Sequence, residues 1–411
     1  MPFEAARTST LLSPRRVDSC LTVLSDTHFW TKTSSTEITP SAYLSGVQSL
    51  LNSPSDIARV LNFQGSEAQE FINFLDQALL RSNLDEKHWR RCIRLIRKIS
   101  KARGIIPSSY IAREEYIHVG NIHYDRGLTE LSDGEYQGRT VAIKRLKVDD
   151  KDPRKTFKRL CREIIAWKHL THRNILPLLG VSISTDTHRF RILTEWMPNG
   201  NIMRYARSNL AANRLELLSE VMSGVTYLHD HSIVHADLKG ANILVDNTGI
   251  ACIADFGLAT VTDLSAFFSE TIASPGGTRQ WMSPELLDPK GFKSNGRSTR
   301  ESDCYALGML IYEVLTGLRP FHDMHDPTFI GPVLRGKRPE KPREAESLGF
   351  SDTIWGLVQL CWSEDIAARP TSRELLDHFS IASPSWRAPA VYPVMVEDAI
   401  STTDSVLSSA S

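Results

Sequence analysis

The chain has 411 residues, enough for two or three domains of ordinary size, and 41% of them are hydrophobic, as expected of a chain that buries a large core. Its 48 basic and 48 acidic residues balance, so bulk charge offers no pull toward nucleic acid or an anionic membrane surface. The six cysteines form no CxxC pair, which argues against a zinc site or a disulfide framework; with no secretory signal and no long apolar run, the expectation is a cytoplasmic protein without a transmembrane segment.

In chain order, residues 1–45 are rich in Ser and Thr without sustained periodicity and read as disordered. Residues 46–108 read as a helical region. Ser53 followed by Pro54 predicts a helix start, and Ser66 with Gln69 predicts a capping box ahead of Phe71, Ile72, Leu75 and Leu79. Asn83 and Glu86 give a looser start signal for a helix whose apolar face is Trp89, Cys92, Ile93 and Ile96. Its other face carries Arg90, Arg91, Arg94, Arg97, Lys98 and Lys101. A solvated face is the plain reading of that charge, and a docking surface for an acidic partner or lipid headgroups the sharper one. Gly104 and Pro107 close the helix. Short β-type runs follow at 116–123 and 140–147, then a helix at 153–170 and strands near 178–184 and 189–195. After residue 200 the pattern is mainly helical, and 381–411 return to a Ser-, Thr- and Pro-containing tail.

Three constellations carry chemistry. In Val141-Ala142-Ile143-Lys144 an apolar strand can hold one lysine rigidly; alone this is a weak signal, often just a strand with one exposed Lys. Glu163, on the next helix, is placed to pair with Lys144 and fix its ammonium for phosphate. In His235-Ala236-Asp237-Leu238-Lys239-Gly240-Ala241-Asn242, Asp237 can orient or accept the proton of an attacking hydroxyl. Lys239 can contact a γ-phosphate and Asn242 can hold a metal. In Asp255-Phe256-Gly257, the aspartate is a hard oxygen ligand suited to Mg²⁺.

These motifs, with Gly277-Thr278-Arg279-Gln280-Trp281-Met282-Ser283-Pro284-Glu285, Asp303 and Ala368-Arg369-Pro370, resemble the eukaryotic protein kinase superfamily, and within it the tyrosine-kinase-like group, over residues 115–380. The resemblance implies an α+β, two-lobed protein kinase fold, with a small β-rich N-lobe at about 115–195 and a larger helical C-lobe at about 198–380, preceded by the small helical region. It implies ATP and Mg²⁺ as cofactors, protein substrates with Ser/Thr acceptors, and a role in intracellular signalling. Thr194 would be the gatekeeper, and the backbone of Glu195 and Met197 would bond adenine. Ala142 and Leu244 would sandwich the ring, and His235, Phe256, Trp167 and Leu178 would form an apolar stack. Glu285 and Arg369 would form a structural ion pair.

Two departures stand out. The glycine-rich loop falls on Tyr124 to Leu131 and keeps only Gly127, one place off, with Leu131 at the apolar position; Glu130 adds negative charge near the nucleotide, and Gly134 and Gly138 belong to the following turn. Ala236 stands where many kinases carry an arginine that reads an activation-loop phosphate, so Ser265, Ser269, Thr271 and Ser274 should have little effect if phosphorylated. The alternative to an active enzyme is a pseudokinase scaffold, and a third reading gives the main function to the N-terminal helices.

Overall fold

The computed structural model describes residues 39–126, 129–147, 153–184, 189–261, 279–324 and 328–388. These fall into two compact units: residues up to 170 together with 177–195, and residues 171–176 together with those from 196 onward.

The first unit opens with α1 (Pro40–Asn52), α2 (Pro54–Val60), α3 (Gly65–Arg81) and α4 (Glu86–Arg103). Helix α1 begins inside the stretch expected to be disordered, because Thr39 caps it and Pro40 occupies its first position, with the missing N–H of proline costing nothing there. Ser53 caps α2 as expected, accepting from the Asp56 N–H. The capping box at Ser66 and Gln69 does not form. Helix α3 starts two residues earlier, with Gln64 at the cap position and no side-chain cap bond, and the Gln69 amide donates to the Ile106 carbonyl at 2.9 Å instead. The cap of α4 is Asp85, not Asn83, and Gly104 closes it in the left-handed region at φ 71°. Cys92, Ile93, Ile96 and Ile99 are fully or almost fully buried.

The basic face of α4 is only partly a solvated one. Arg91 donates to the Leu51 carbonyl, and Arg97 donates to the Arg162 carbonyl at 3.3 Å. Burial is the main force pulling Arg97 down to about 10 and Lys101 down to about 8.

The same unit holds an antiparallel sheet of β1 (Ile117–Arg126), β2 (Thr129–Tyr136), β3 (Arg139–Leu146), β4 (Leu178–Ser184) and β5 (Arg189–Glu195), in the order β1-β2-β3-β5-β4, with α5 (Pro153–Trp167) between β3 and β4 in sequence. Strand β2 has no counterpart in the sequence reading. Its inward positions include Glu130 and Ser132, buried to 5% and 2%, so no alternation of apolar residues announces it. Gly134 lies within β2, not in the turn; Gly138, at φ 76°, does belong to the turn.

A Cβ on Gly134 would meet the His118 carbonyl oxygen at 2.4 Å and Ile143 Cδ1 at 2.6 Å. Gly134→Ala should therefore cost about 1–3 kcal/mol by overpacking, read as a lower denaturant midpoint; an unchanged midpoint would mean that β1 and β2 separate at no cost.

The second unit contains α6 (Ile202–Ser208), α7 (Arg214–Asp230), α8 (Pro284–Leu287), α9 (Arg300–Thr316), α10 (Ile330–Leu334), α11 (Asp352–Cys361) and α12 (Ser372–Ala382). Two-stranded pairs of β6 (Ile233–Val234) with β9 (Thr260–Val261), and of β7 (Ile243–Val245) with β8 (Ala251–Ile253), complete it. Helix α9 is its axis. Thr299 and Ser302 form a reciprocal capping box at its start, Gly317 ends it, and its residues from Ser302 to Thr316 are buried. A helix apolar on nearly every side requires neighbours all round, and α9 packs against α6, α7, α11 and the Arg279–Trp281 turn. Among the described residues no helix is long and apolar enough to cross a membrane.

Candidate active site

In the first unit, strand register gathers the predicted residues. Lys144 lies opposite Leu131 on β2, and Ala142 lies opposite Thr194 on β5. Directly opposed residues of antiparallel strands share a face, and residues two apart on one strand do too. Leu131, Ala142, Lys144 and Thr194 therefore line one side of the sheet, while Val141 and Ile143 fill the core on the other. Lys144 Nζ donates to Glu163 Oε1 at 2.7 Å, and the Glu163 side chain is fully buried. A buried carboxylate of this kind is tolerable only because it is paired. Trp167 and Leu178 are buried in this unit, at 3% and 7% exposure.

Glu130 does not act as a free negative charge. It forms an ion pair with Arg145, directly opposite on β3. Gly127 and the four serines and threonines named in the segment after β9 lie outside the described residues.

In the second unit, the loop from His235 to Asn242 is held by its own polar groups. Lys239 Nζ donates to Asp237 Oδ2 at 2.9 Å, and Asn242 Nδ2 donates to the same oxygen at 2.8 Å and to the Asp237 carbonyl at 2.8 Å. Among the described residues the other carboxylate oxygen, Oδ1, is buried without a hydrogen-bond partner. Ala236 sits at φ 68° and Asp255 at φ 60°. Left-handed geometry in residues other than glycine stores roughly 1–3 kcal/mol each and persists only where surrounding contacts enforce it. At Ala236 the enforcing group is Asp303, a fully buried carboxylate at the start of α9. It accepts from the backbone N–H groups of His235 at 2.8 Å and Ala236 at 2.9 Å, and lies 3.0 Å from His229 Nε2. At Asp255 the carboxylate accepts from the Gly257 N–H at 3.3 Å. His235 and Phe256 meet edge to face at 5.3 Å.

Leu244 lies on β7 and makes an isolated bridge with Asn201. Glu195 ends β5, and Met197 follows it, buried to 8%. Glu285 and Arg369 form the expected buried ion pair in fork geometry, at 2.7 and 2.9 Å. Burial alone would raise the Glu285 carboxyl; the hydrogen bonds and charge of Arg369 outweigh it and hold it below its ordinary value.

One residue escaped the sequence reading. Glu313 on α9 is buried, and its Oε2 accepts from the Gly240 N–H at 2.8 Å and from the Trp281 indole N–H at 3.0 Å. It joins the loop from His235 to Asn242 to the end of the segment preceding α8. Gly240 is required by this approach, since a Cβ there would lie 2.6 Å from Met203 Cγ and 3.0 Å from the Glu313 carboxylate. The available signal was a lone acid in the apolar run Ala306 to Val314.

Burial is the main cause that raises the Glu313 carboxyl to about 7. The folded chain thus holds a proton that the unfolded chain releases at lower pH, so stability from this group is present below the usual glutamate range and is lost as pH rises toward about 7. Glu313→Gln keeps an acceptor for both donors but cannot titrate. It should flatten the fall in melting temperature between about pH 5 and pH 7; an unchanged slope would assign the effect to another group.

A protein kinase domain model matches residues 133–380. The chain is 30% identical over 254 residues to MAP3K epsilon protein kinase 2 of Arabidopsis thaliana, covering 61% of this chain and 17% of that protein. It is 30% identical over 256 residues to serine/threonine-protein kinase STY46 of the same plant, covering 60% and 41%. Mitogen-activated protein kinase kinase kinase 19 of Mus musculus is 31% identical over 270 residues, covering 61% and 19%. The chain thus spans less than half the length of these relatives. With the motif order, the five-stranded sheet and the helical second unit, these matches show that the chain belongs to the protein kinase superfamily.

Proposed function

We propose that the chain is an active protein Ser/Thr kinase that transfers the ATP γ-phosphate to protein hydroxyls in cytoplasmic signalling. The observation that carries this is the Asp237 carboxylate. One oxygen is fixed by Lys239 and Asn242, and the other is buried with no partner among the described residues. A buried lone acceptor is costly unless a ligand completes it, and a substrate hydroxyl is the donor this chemistry needs. Asp237 would orient that hydroxyl and accept its proton, and Lys239 would supply positive charge beside it. Lys144, kept in place by Glu163, would meet the nucleotide phosphates, and Leu131, Ala142, Thr194, Glu195, Met197 and Leu244 would surround adenine.

The donor set also fits a hard divalent cation. Asp255 offers carboxylate oxygen, and the Asn242 amide nitrogen is already committed to Asp237, which leaves its oxygen for Mg²⁺. When bound, Mg²⁺ would neutralise charge on the phosphates. The pairing of Glu130 with Arg145 removes one argument for a pseudokinase scaffold, and the catalytic side chains are all retained.

The test is γ-phosphate transfer to generic Ser/Thr and Tyr substrates and to the chain itself, with Mg²⁺ present and absent. Metal-dependent labelling of Ser and Thr, with none on Tyr, is expected. Nucleotide binding without any transfer would favour the scaffold.

A further inference from the structure

Helix α5 carries Glu163, so its seating decides whether the Lys144–Glu163 pair exists. Its partners include residues far outside the kinase match. Helix α4 packs along it, and Arg97 donates to the Arg162 carbonyl, next to Glu163 in the chain. Just beyond the C-terminal end of α5, His169 enters a buried cluster. Its Nε2 lies 2.9 Å from the Tyr110 hydroxyl and 3.2 Å from Asp76 Oδ1. Tyr110 also reaches the Ile165 carbonyl at 3.5 Å, and Ser109 Oγ donates to Asp76 Oδ2 at 2.7 Å. Asp76 and Tyr110 are 1% and 0% exposed.

The segment bearing Tyr110 is itself held at both ends. Asn73 on α3 accepts from the Ser108 N–H at 2.8 Å, and the Ala112 N–H donates to the Val181 carbonyl on β4 at 2.7 Å. Lys168 donates to the carbonyls of Leu178 and Leu179 at 3.2 and 3.1 Å, which ties the end of α5 to the same strand. Helix α5 is therefore gripped at its middle by α4 and at its end by α3 and the linker. Buried polar clusters of this kind favour one arrangement over others, because any shift strands a desolvated group.

We propose that the N-terminal helices are a built-in brace for α5, with Arg97, Asp76, Tyr110 and His169 as positioning residues for the Lys144–Glu163 pair. The inference rests on the kinase reading, since the pair matters only if nucleotide is turned over. The brace supplies from within the chain a contact that sets the active geometry, so catalytic competence depends on residues 69–112 as well as on the kinase motifs.

The test is a double-mutant comparison in the full chain. Tyr110→Phe/Arg97→Met should lower kcat/KM for ATP about tenfold, while in a Glu163→Gln background the same changes should cost less than about twofold, because the group they position is already disabled. Tyr110→Phe alone removes one hydroxyl and little volume, and should show the same pattern at about threefold if the double variant does not fold. Arg97→Lys, which keeps a donor, should restore most of the loss. Equal losses in both backgrounds would reduce the contacts to general stability and overturn the proposal, as would unchanged kcat/KM in a folded variant. If the unsubstituted chain itself transfers no phosphate, the kinase reading fails instead.

Discussion

Asp237→Asn should lower phosphate transfer by roughly 10²–10⁴-fold, the range expected when a positioned general base is lost, while ATP affinity stays within about twofold. The change swaps one carboxylate oxygen for an amide group and preserves shape. The bond from Asn242 to the Asp237 backbone carbonyl does not involve the altered atoms, so the loop should keep its course. What disappears is the charge between Lys239 and the incoming hydroxyl. Asp255→Asn is the instructive contrast: it should also weaken metal-dependent nucleotide binding, because a hard cation loses an anionic ligand. Transfer by Asp237→Asn at the original rate would remove Asp237 from the chemistry.

The second large effect is on stability. Arg369→Ala should destabilise the second unit by about 3–5 kcal/mol, because it leaves a buried carboxylate without its partner. The Arg369 guanidinium donates to both Glu285 oxygens and also to the carbonyls of Ser363 and Glu301, and it lies 5.2 Å over the Tyr305 ring. Replacing Glu285 and Arg369 together by apolar residues of similar volume should cost less than the single change, since no charge is then stranded. The pH dependence has a definite sign. The Glu285 carboxyl is held below its ordinary value, so its contribution is present above the usual glutamate range and is lost as pH falls through the lowered value. Denaturant melts of both variants at neutral and acid pH check the ordering; a double variant weaker than Arg369→Ala would refute it.

Where chemistry is carried by contiguous residues, it could be read directly. The loop from His235 to Asn242, the Asp255 turn and the Lys144 strand need particular side chains at fixed short spacings, and the structure finds Lys144 with Glu163 as expected; the bonds from Lys239 and Asn242 to Asp237 are contacts that the sequence did not announce. The strand boundaries around β3, β4 and β5 were also legible, since most of their buried residues are apolar. Strand β2 was not, because its inward positions are filled by Glu130 and Ser132, and the pairing that makes Glu130 tolerable is with another strand. Gln69 misled for a related reason: a side chain suited to a local cap was taken by the Ile106 carbonyl. The roles of Arg97, Tyr110 and His169 depend on partners that only the folded chain brings near, and nothing in local spacing reports them.

The linker that bears Tyr110 does something more for the sheet. Strand β4 is an edge strand, and Ile111 pairs with Val181 in parallel beside the bond from the Ala112 N–H. Glu114 accepts from Ser182 Oγ on the same strand at 2.7 Å. An uncovered edge of this kind is a template on which other chains can add strands. A fragment cut at residue 115 would keep every catalytic motif yet bare that edge, and would be expected to self-associate at concentrations where the longer chain stays dispersed.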